Sequence, residues 1–65
     1  MNLTWKNVMN TSHIRYGWIK DVFDLAQETG YPYFVWNDRV YESKEAKFVN
    51  YVYDRTSDTF VEYQS

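Results

Sequence analysis

A chain of 65 residues with three Trp, seven Tyr and four Phe but no Cys has few ways to fold. A domain this size buries only about 60% of the surface its unfolded chain exposes, so its stability is marginal. Disulfides, the usual staple in small domains, are ruled out by the absence of Cys. A structural zinc site is equally remote, because His13 is the only imidazole and no thiolate accompanies it. What remains is self-association or dense aromatic packing, in which each buried ring withdraws roughly 150–250 Å² from water. The rings outnumber what one small core holds. The surplus is expected on the surface, as a face that binds something.

Helical periodicity is strongest over 12–29. Thr11 or Ser12 is placed to cap that helix through a hydroxyl. Ile14, Trp18, Ile19, Val22, Leu25 and Ala26 form its apolar stripe, widened by Phe23. Gly30 supplies a left-handed closing residue, and Pro32 prevents the helix from restarting. Gly17 inside the span costs about 1 kcal/mol relative to Ala and is read as a close approach of another backbone, with a helix start nearer Gly17 as the alternative.

Asn37-Asp38 separates two aromatic, β-branched runs and fits a two-residue hairpin turn, since both residues tolerate positive φ. That register sets Trp36 opposite Arg39, Val35 opposite Val40 and Phe34 opposite Tyr41. A polar connection at 43–46 and a second hairpin, 47–54 with 59–64 around 55–58, complete the pattern. One alternative stays open: Ser43 caps a helix through Ala46, Val49 and Tyr53. Near the N-terminus, Thr4 is expected to cap a short turn that places Trp5, Val8 and Met9 against the main helix. The expected fold is therefore α+β in a single domain, 1–65: one amphipathic helix packed on a three- to four-stranded antiparallel β-meander.

The net charge is −2, unevenly spread. Residues 1–20 carry Lys6, Arg15 and Lys20 and no acid, whereas all nine acids follow. A nucleic-acid-binding domain this small is usually basic, so that class is disfavoured. The longest apolar run, Tyr33-Phe34-Val35-Trp36, is too short to span a bilayer. The N-terminus lacks a basic region followed by an apolar stretch, so no signal peptide is expected. The location read from these features is cytoplasmic.

Asp21, Asp24 and Glu28 fall at i, i+3 and i+7, a stripe opposite the apolar face that is either a solvated surface or an acidic rim for a basic partner. On a helix over 12–29, bases stand near the N-terminus and acids near the C-terminus, the reverse of the dipole's preference. No nucleophile elbow, Gly-rich phosphate loop or metal-ligand cluster occurs, so no catalytic residue, cofactor or metal is expected and the chain is read as non-enzymatic. The aromatic hairpin carries more weight. Either the face of Tyr33, Val35 and Val40 lies under the helix and Phe34, Trp36, Arg39 and Tyr41 look outward, or the reverse holds. Trp, Tyr and Arg are the types enriched at interaction hot spots.

A helix ending in Gly30-Tyr31, followed by Tyr33-Phe34-Val35-Trp36-Asn37-Asp38-Arg39-Val40-Tyr41, resembles small accessory proteins of tailed bacteriophages. The resemblance covers about a dozen residues and carries over no functional residue. It implies a class: small Cys-free proteins that bind and alter a host enzyme or defence factor, in the host cytoplasm. The leading expectation is thus a protein-binding modulator that inhibits by occluding a surface, with another protein, such as a host enzyme or nucleic-acid-processing complex, as partner. Its expected contact residues are Phe34, Trp36, Arg39 and Tyr41, with Asp21, Asp24 and Glu28 as rim. Two alternatives stand beside it. One is a winged-helix-like nucleic-acid module using Lys6, Arg15 and Lys20; the other is a self-associating structural subunit.

Overall fold

A computed structural model describes residues 3–11 and 18–64. The elements run β1 (Val8–Met9), α1 (Ile19–Thr29), β2 (Tyr33–Trp36), β3 (Arg39–Glu42), β4 (Lys47–Asp54) and β5 (Thr59–Glu62). Asn37 and Asp38 adopt φ of 55° and 62°, the pair of left-handed residues that a primed two-residue turn requires. β2 and β3 pair in the expected register, Phe34 with Tyr41, Val35 with Val40 and Trp36 with Arg39. The next two connections share one design. Residues 43–46 and 55–58 each bridge a strand pair, Glu42 with Lys47 and Asp54 with Thr59. Each ends in a left-handed residue, Ala46 at φ 57° and Asp58 at φ 54°. In the second loop the Asp54 carboxylate accepts the Thr56 N–H at 3.1 Å and the Ser57 hydroxyl at 2.9 Å. Residues 47–54 are strand, so the helix through Ala46, Val49 and Tyr53 does not form.

These turns make an antiparallel meander of β2 to β5, but the sheet has a fifth member. β1 pairs parallel to β2, with Val8 beside Tyr33 and Met9 beside Phe34, giving the order β1-β2-β3-β4-β5. The domain is therefore α+β with a curled, mixed, five-stranded sheet, and the three- to four-stranded antiparallel expectation was too small. A two-residue strand carries no periodicity of its own in the sequence. Its parallel pairing needs a crossover, and α1 lies within that connection.

Thr11 extends this short ladder with a side chain. Its buried hydroxyl accepts the Val35 N–H at 3.1 Å and donates to the Val35 carbonyl. It therefore bonds the sheet; the N–H groups it was expected to cap lie outside the described residues. The expected helix start at 12, with Ile14 and Gly17, lies outside the described residues. The described helix begins at Ile19 behind Trp18, which makes no side-chain cap bond. Its far end matches expectation: Gly30 is left-handed at φ 80° and its N–H bonds the Ala26 carbonyl at 2.9 Å.

Both faces of the central strands are covered. On the helix side Val22 and Ala26 meet Met9, Phe34 and Tyr41, flanked by Ile19, Phe23, Trp36, Ala46 and Phe48. On the other side Val8, Val35 and Val40 are covered by Leu3, Trp5 and the β4–β5 residues Tyr51, Tyr53 and Phe60. The curl that allows this is concentrated in β4. Arg39 pairs with Val52 but Tyr41 with Phe48, so β4 has extra residues here, and Asn50 takes φ 63° within the bulge. A turn at 4–7 carries Trp5 into the second core: the Thr4 carbonyl accepts the N–H of Asn7 and Val8, and Asn7 Oδ1 accepts the Thr4 N–H. Only Met9 of the expected trio Trp5, Val8 and Met9 faces the helix. Trp5 closes a ring cluster with Tyr53 and Phe60, at 5.2 and 4.7 Å between centroids.

Candidate functional site: a half-covered sheet face

Cross-strand pairing places side chains on common faces. Along one row Trp36 stands beside Arg39, Arg39 beside Val52, and Val52 beside Val61, so this row crosses β2, β3, β4 and β5 on the helix side of the sheet. The adjacent row holds Phe34, Tyr41 and Phe48, continued by Tyr63 through a T-shaped contact with Phe48 at 5.5 Å. α1 packs over the β2 end of these rows, where Phe34 is 0% and Tyr41 8% exposed. Toward β5 the same face emerges: Arg39 is exposed, Val52 and Phe48 are half-buried, and Val61 and Tyr63 are each 41% exposed.

The expected site residues therefore separate. Phe34 and Tyr41 stack on each other at 5.6 Å inside the core and do not present a surface. This corrects the outward assignment for that pair, and the reason is the helix above them. Trp36 is half-buried, with its ring edge on Tyr41 at 6.1 Å. Arg39 extends over Phe48 with its guanidinium carbon 5.8 Å from the ring centroid, at the outer range of a cation–π contact. The sequence expectation for 47–64 was a hairpin only; the structure adds Phe48, Val52, Val61 and Tyr63 to the face of Trp36 and Arg39. The turn at 43–46 alone would set Asn50 opposite Arg39; the bulge in β4 brings Val52 there instead, and no sequence signal announces it.

Trp18, expected in the helix core, is instead 79% exposed at the helix start, and Leu25 is also exposed. α1 rests on the sheet through Val22 and Ala26, so the buried stripe is narrower than the sequence period suggests.

Asp21, Asp24 and Glu28 are all exposed. Asp21 lies in the first turn of the described helix, where the dipole favours an acid. Lys20 donates to Asp24 at 3.0 Å, an exposed i,i+4 pair, and this hydrogen bond raises the lysine's pKa. The dipole conflict is thus milder than the longer helix implied. Lys20 is also engaged intramolecularly rather than held out for a phosphate. Of the other bases in the nucleic-acid reading, Arg15 lies outside the described residues, and Lys6 is exposed in the 4–7 turn.

Two polar devices hold the hairpin tips beside this face. Arg55 donates Nε and a terminal nitrogen to the two Asp38 oxygens, each at 2.9 Å, so the β2–β3 turn is tied to the β4–β5 loop. Asp58 Oδ1 accepts from the Tyr53 hydroxyl at 2.6 Å and from the Trp5 indole N–H at 3.3 Å. The hydrogen bond to Asp58 raises the Tyr53 pKa, because it favours the protonated phenol. His13 lies outside the described residues. Among the described residues no three His, Cys, Asp or Glu side chains converge, and no helix is long and apolar enough to cross a membrane.

No family model, curated protein or solved structure matches the chain.

Proposed function

We propose that the protein is a small binding module that modulates another protein by occupying its surface, using the half-covered face of Trp36, Arg39, Phe48, Val52, Val61 and Tyr63. The observation that carries this reading is the emergence of one apolar, Arg-bearing face from under α1 toward β5. The surface composition fits protein contact: aromatic rings supply area at small entropic cost, and a single guanidinium supplies direction. Asp21, Asp24 and Glu28 stand on the exposed side of the helix as an acidic rim for a basic partner surface. The resemblance to phage accessory proteins extends the proposal to a host enzyme or defence factor as partner and inhibition as outcome. The nucleic-acid reading has less support, since Lys20 is already bonded to Asp24.

The test is capture from a host lysate with mass spectrometry, run in parallel with Trp36→Ala, Tyr63→Ala and Glu45→Gln variants. The captured protein is expected to be lost with Trp36→Ala and Tyr63→Ala, at a cost of roughly 2 kcal/mol or more in affinity for a central aromatic anchor, and retained with Glu45→Gln, an exposed loop residue outside the proposed site. Melting curves of the isolated variants separate lost contact from lost folding. Undiminished capture by both aromatic variants, each still folded, would sink this site.

A further inference from the structure

β5 is the outer strand of the sheet, and its unpaired side can be assigned residue by residue. The Tyr63 N–H bonds the Asn50 carbonyl at 2.8 Å, so Tyr63 turns its main chain toward β4. Alternate residues of a strand turn their N–H and C=O groups to opposite sides, so Val61 also faces β4 while Phe60 and Glu62 face away. The β3 side confirms this phase. The Tyr53 N–H bonds the Asp38 carbonyl at 2.8 Å, so Tyr53 and its cross-strand neighbour Phe60 form a pair that exchanges no main-chain bonds. Among the described residues nothing bonds the outward groups of Phe60 and Glu62.

Exposed edges are normally blunted by Pro, Lys, a bulge or a covering element. β5, Thr-Phe-Val-Glu, has neither Pro nor Lys, and its register with β4 is uninterrupted from Tyr51–Glu62 to Asp54–Thr59. The opposite edge is different: β1 is two residues long and gives way to the Thr11 hydroxyl. We infer that β5 pairs antiparallel with β5 of a second copy about a two-fold axis at Val61. This interface goes beyond the proposed function and does not depend on it.

Three antiparallel registers bring outward main-chain groups together, and side-chain chemistry selects among them. Centring on Phe60 leaves Glu62 opposite Asp58 of the other copy, two acids on facing chains. Centring on Glu62 sets two carboxylates directly opposite. Centring on Val61 pairs Phe60 with Glu62 of the other copy and the reverse, so both outward residues of each copy bond and neither carboxylate faces its twin. Val61 then meets Val61 across the axis, and a valine 41% exposed in the single chain is covered. Such pairing is in the plane of the sheet and joins the two Trp36–Arg39–Val52–Val61 rows end to end.

Sedimentation equilibrium of the pure chain, from micromolar to near-millimolar concentration, tests this without any partner. The weight-average mass should rise from monomer toward twice that value. Hydrogen exchange should show the Phe60 and Glu62 amides slowing as concentration rises, with Tyr63 unchanged because its N–H is already bonded. Glu62→Pro removes an outward N–H and a strand edge tolerates it; it should abolish the dimer and leave the circular-dichroism spectrum intact. Val61→Lys, which sets two ammonium groups face to face, should weaken association at least about tenfold. A chain that stays monomeric throughout, or a folded Glu62→Pro variant that dimerises like the parent, overturns the inference.

Discussion

At the residue scale two hydroxyls have opposite consequences. Thr11, 2% exposed, satisfies both main-chain groups of Val35 where β1 has ended. Thr11→Val keeps the shape and removes both bonds, leaving two buried peptide groups without partners. The expected loss is about 2–3 kcal/mol, read from the urea midpoint at constant m value. Little or no loss would mean that Val35 finds another partner. Ser43 is the converse. It is buried, and among the described residues its Oγ meets no hydrogen-bond partner, although its carbonyl accepts from the Gln27 side chain and its N–H bonds the Pro32 carbonyl. Ser43→Ala removes an uncompensated polar group and should stabilise the fold by about 1 kcal/mol; a lower urea midpoint would contradict this. Gly30 is constrained by conformation, since among the described residues none beyond its chain neighbours lies within 4 Å of the position a Cβ would take. At φ 80°, Gly30→Ala should cost about 1–2 kcal/mol from the left-handed backbone, visible as a lower melting temperature with an unchanged spectrum.

At the element scale, legibility followed the presence of local chemistry. The β2–β3 hairpin was readable because Asn37-Asp38 is a local turn signal that sets its own register. Gly30 and Pro32 marked the helix end for the same reason. β1 was not readable, because two residues held by a neighbouring strand and a threonine hydroxyl have no period of their own. The facing of the hairpin was unreadable for a different reason. Phe34, Val35, Val40 and Tyr41 are all buried, and a strand covered on both sides shows no polar alternation. Phe34 and Tyr41 therefore belong to the core, while Trp36 is half-buried and Arg39 exposed. The exposed members of this face are Arg39 in β3 and Val61 and Tyr63 at the β5 edge, with Phe48 and Val52 of β4 half-buried between them. The β4–β5 element also carries a pH response. Because Tyr53 has a raised pKa in the folded chain, the Asp58 bond is fully present below the unfolded tyrosine's value of about 10 and is lost as pH rises beyond it. Urea midpoints of the parent should fall across that alkaline range more steeply than those of Tyr53→Phe. Parallel curves would show that the bond contributes nothing.

At the scale of the whole molecule, the domain consists of a helix-side core and a second core under the curled sheet, joined through β2 and β3. The second depends on a residue far away in sequence, since Trp5 packs on Tyr53 and Phe60 and its indole reaches Asp58. Trp5→Ala should cost about 3 kcal/mol, a large share of what a chain of this length can hold in reserve. A thermal melt should show a broad, low-temperature transition, and a parent-like melt would place the stability elsewhere. That long reach also sets an order of events. The turns joining β2, β3, β4 and β5 close over short spans, whereas the Trp5 contact must close a loop of most of the chain, so the meander is expected to assemble first and the N-terminal segment to dock last. In stopped-flow measurements, Trp5→Ala should then accelerate unfolding while leaving the refolding rate nearly unchanged. The indole would act as a latch on the lifetime of the native state, not as a guide to reaching it.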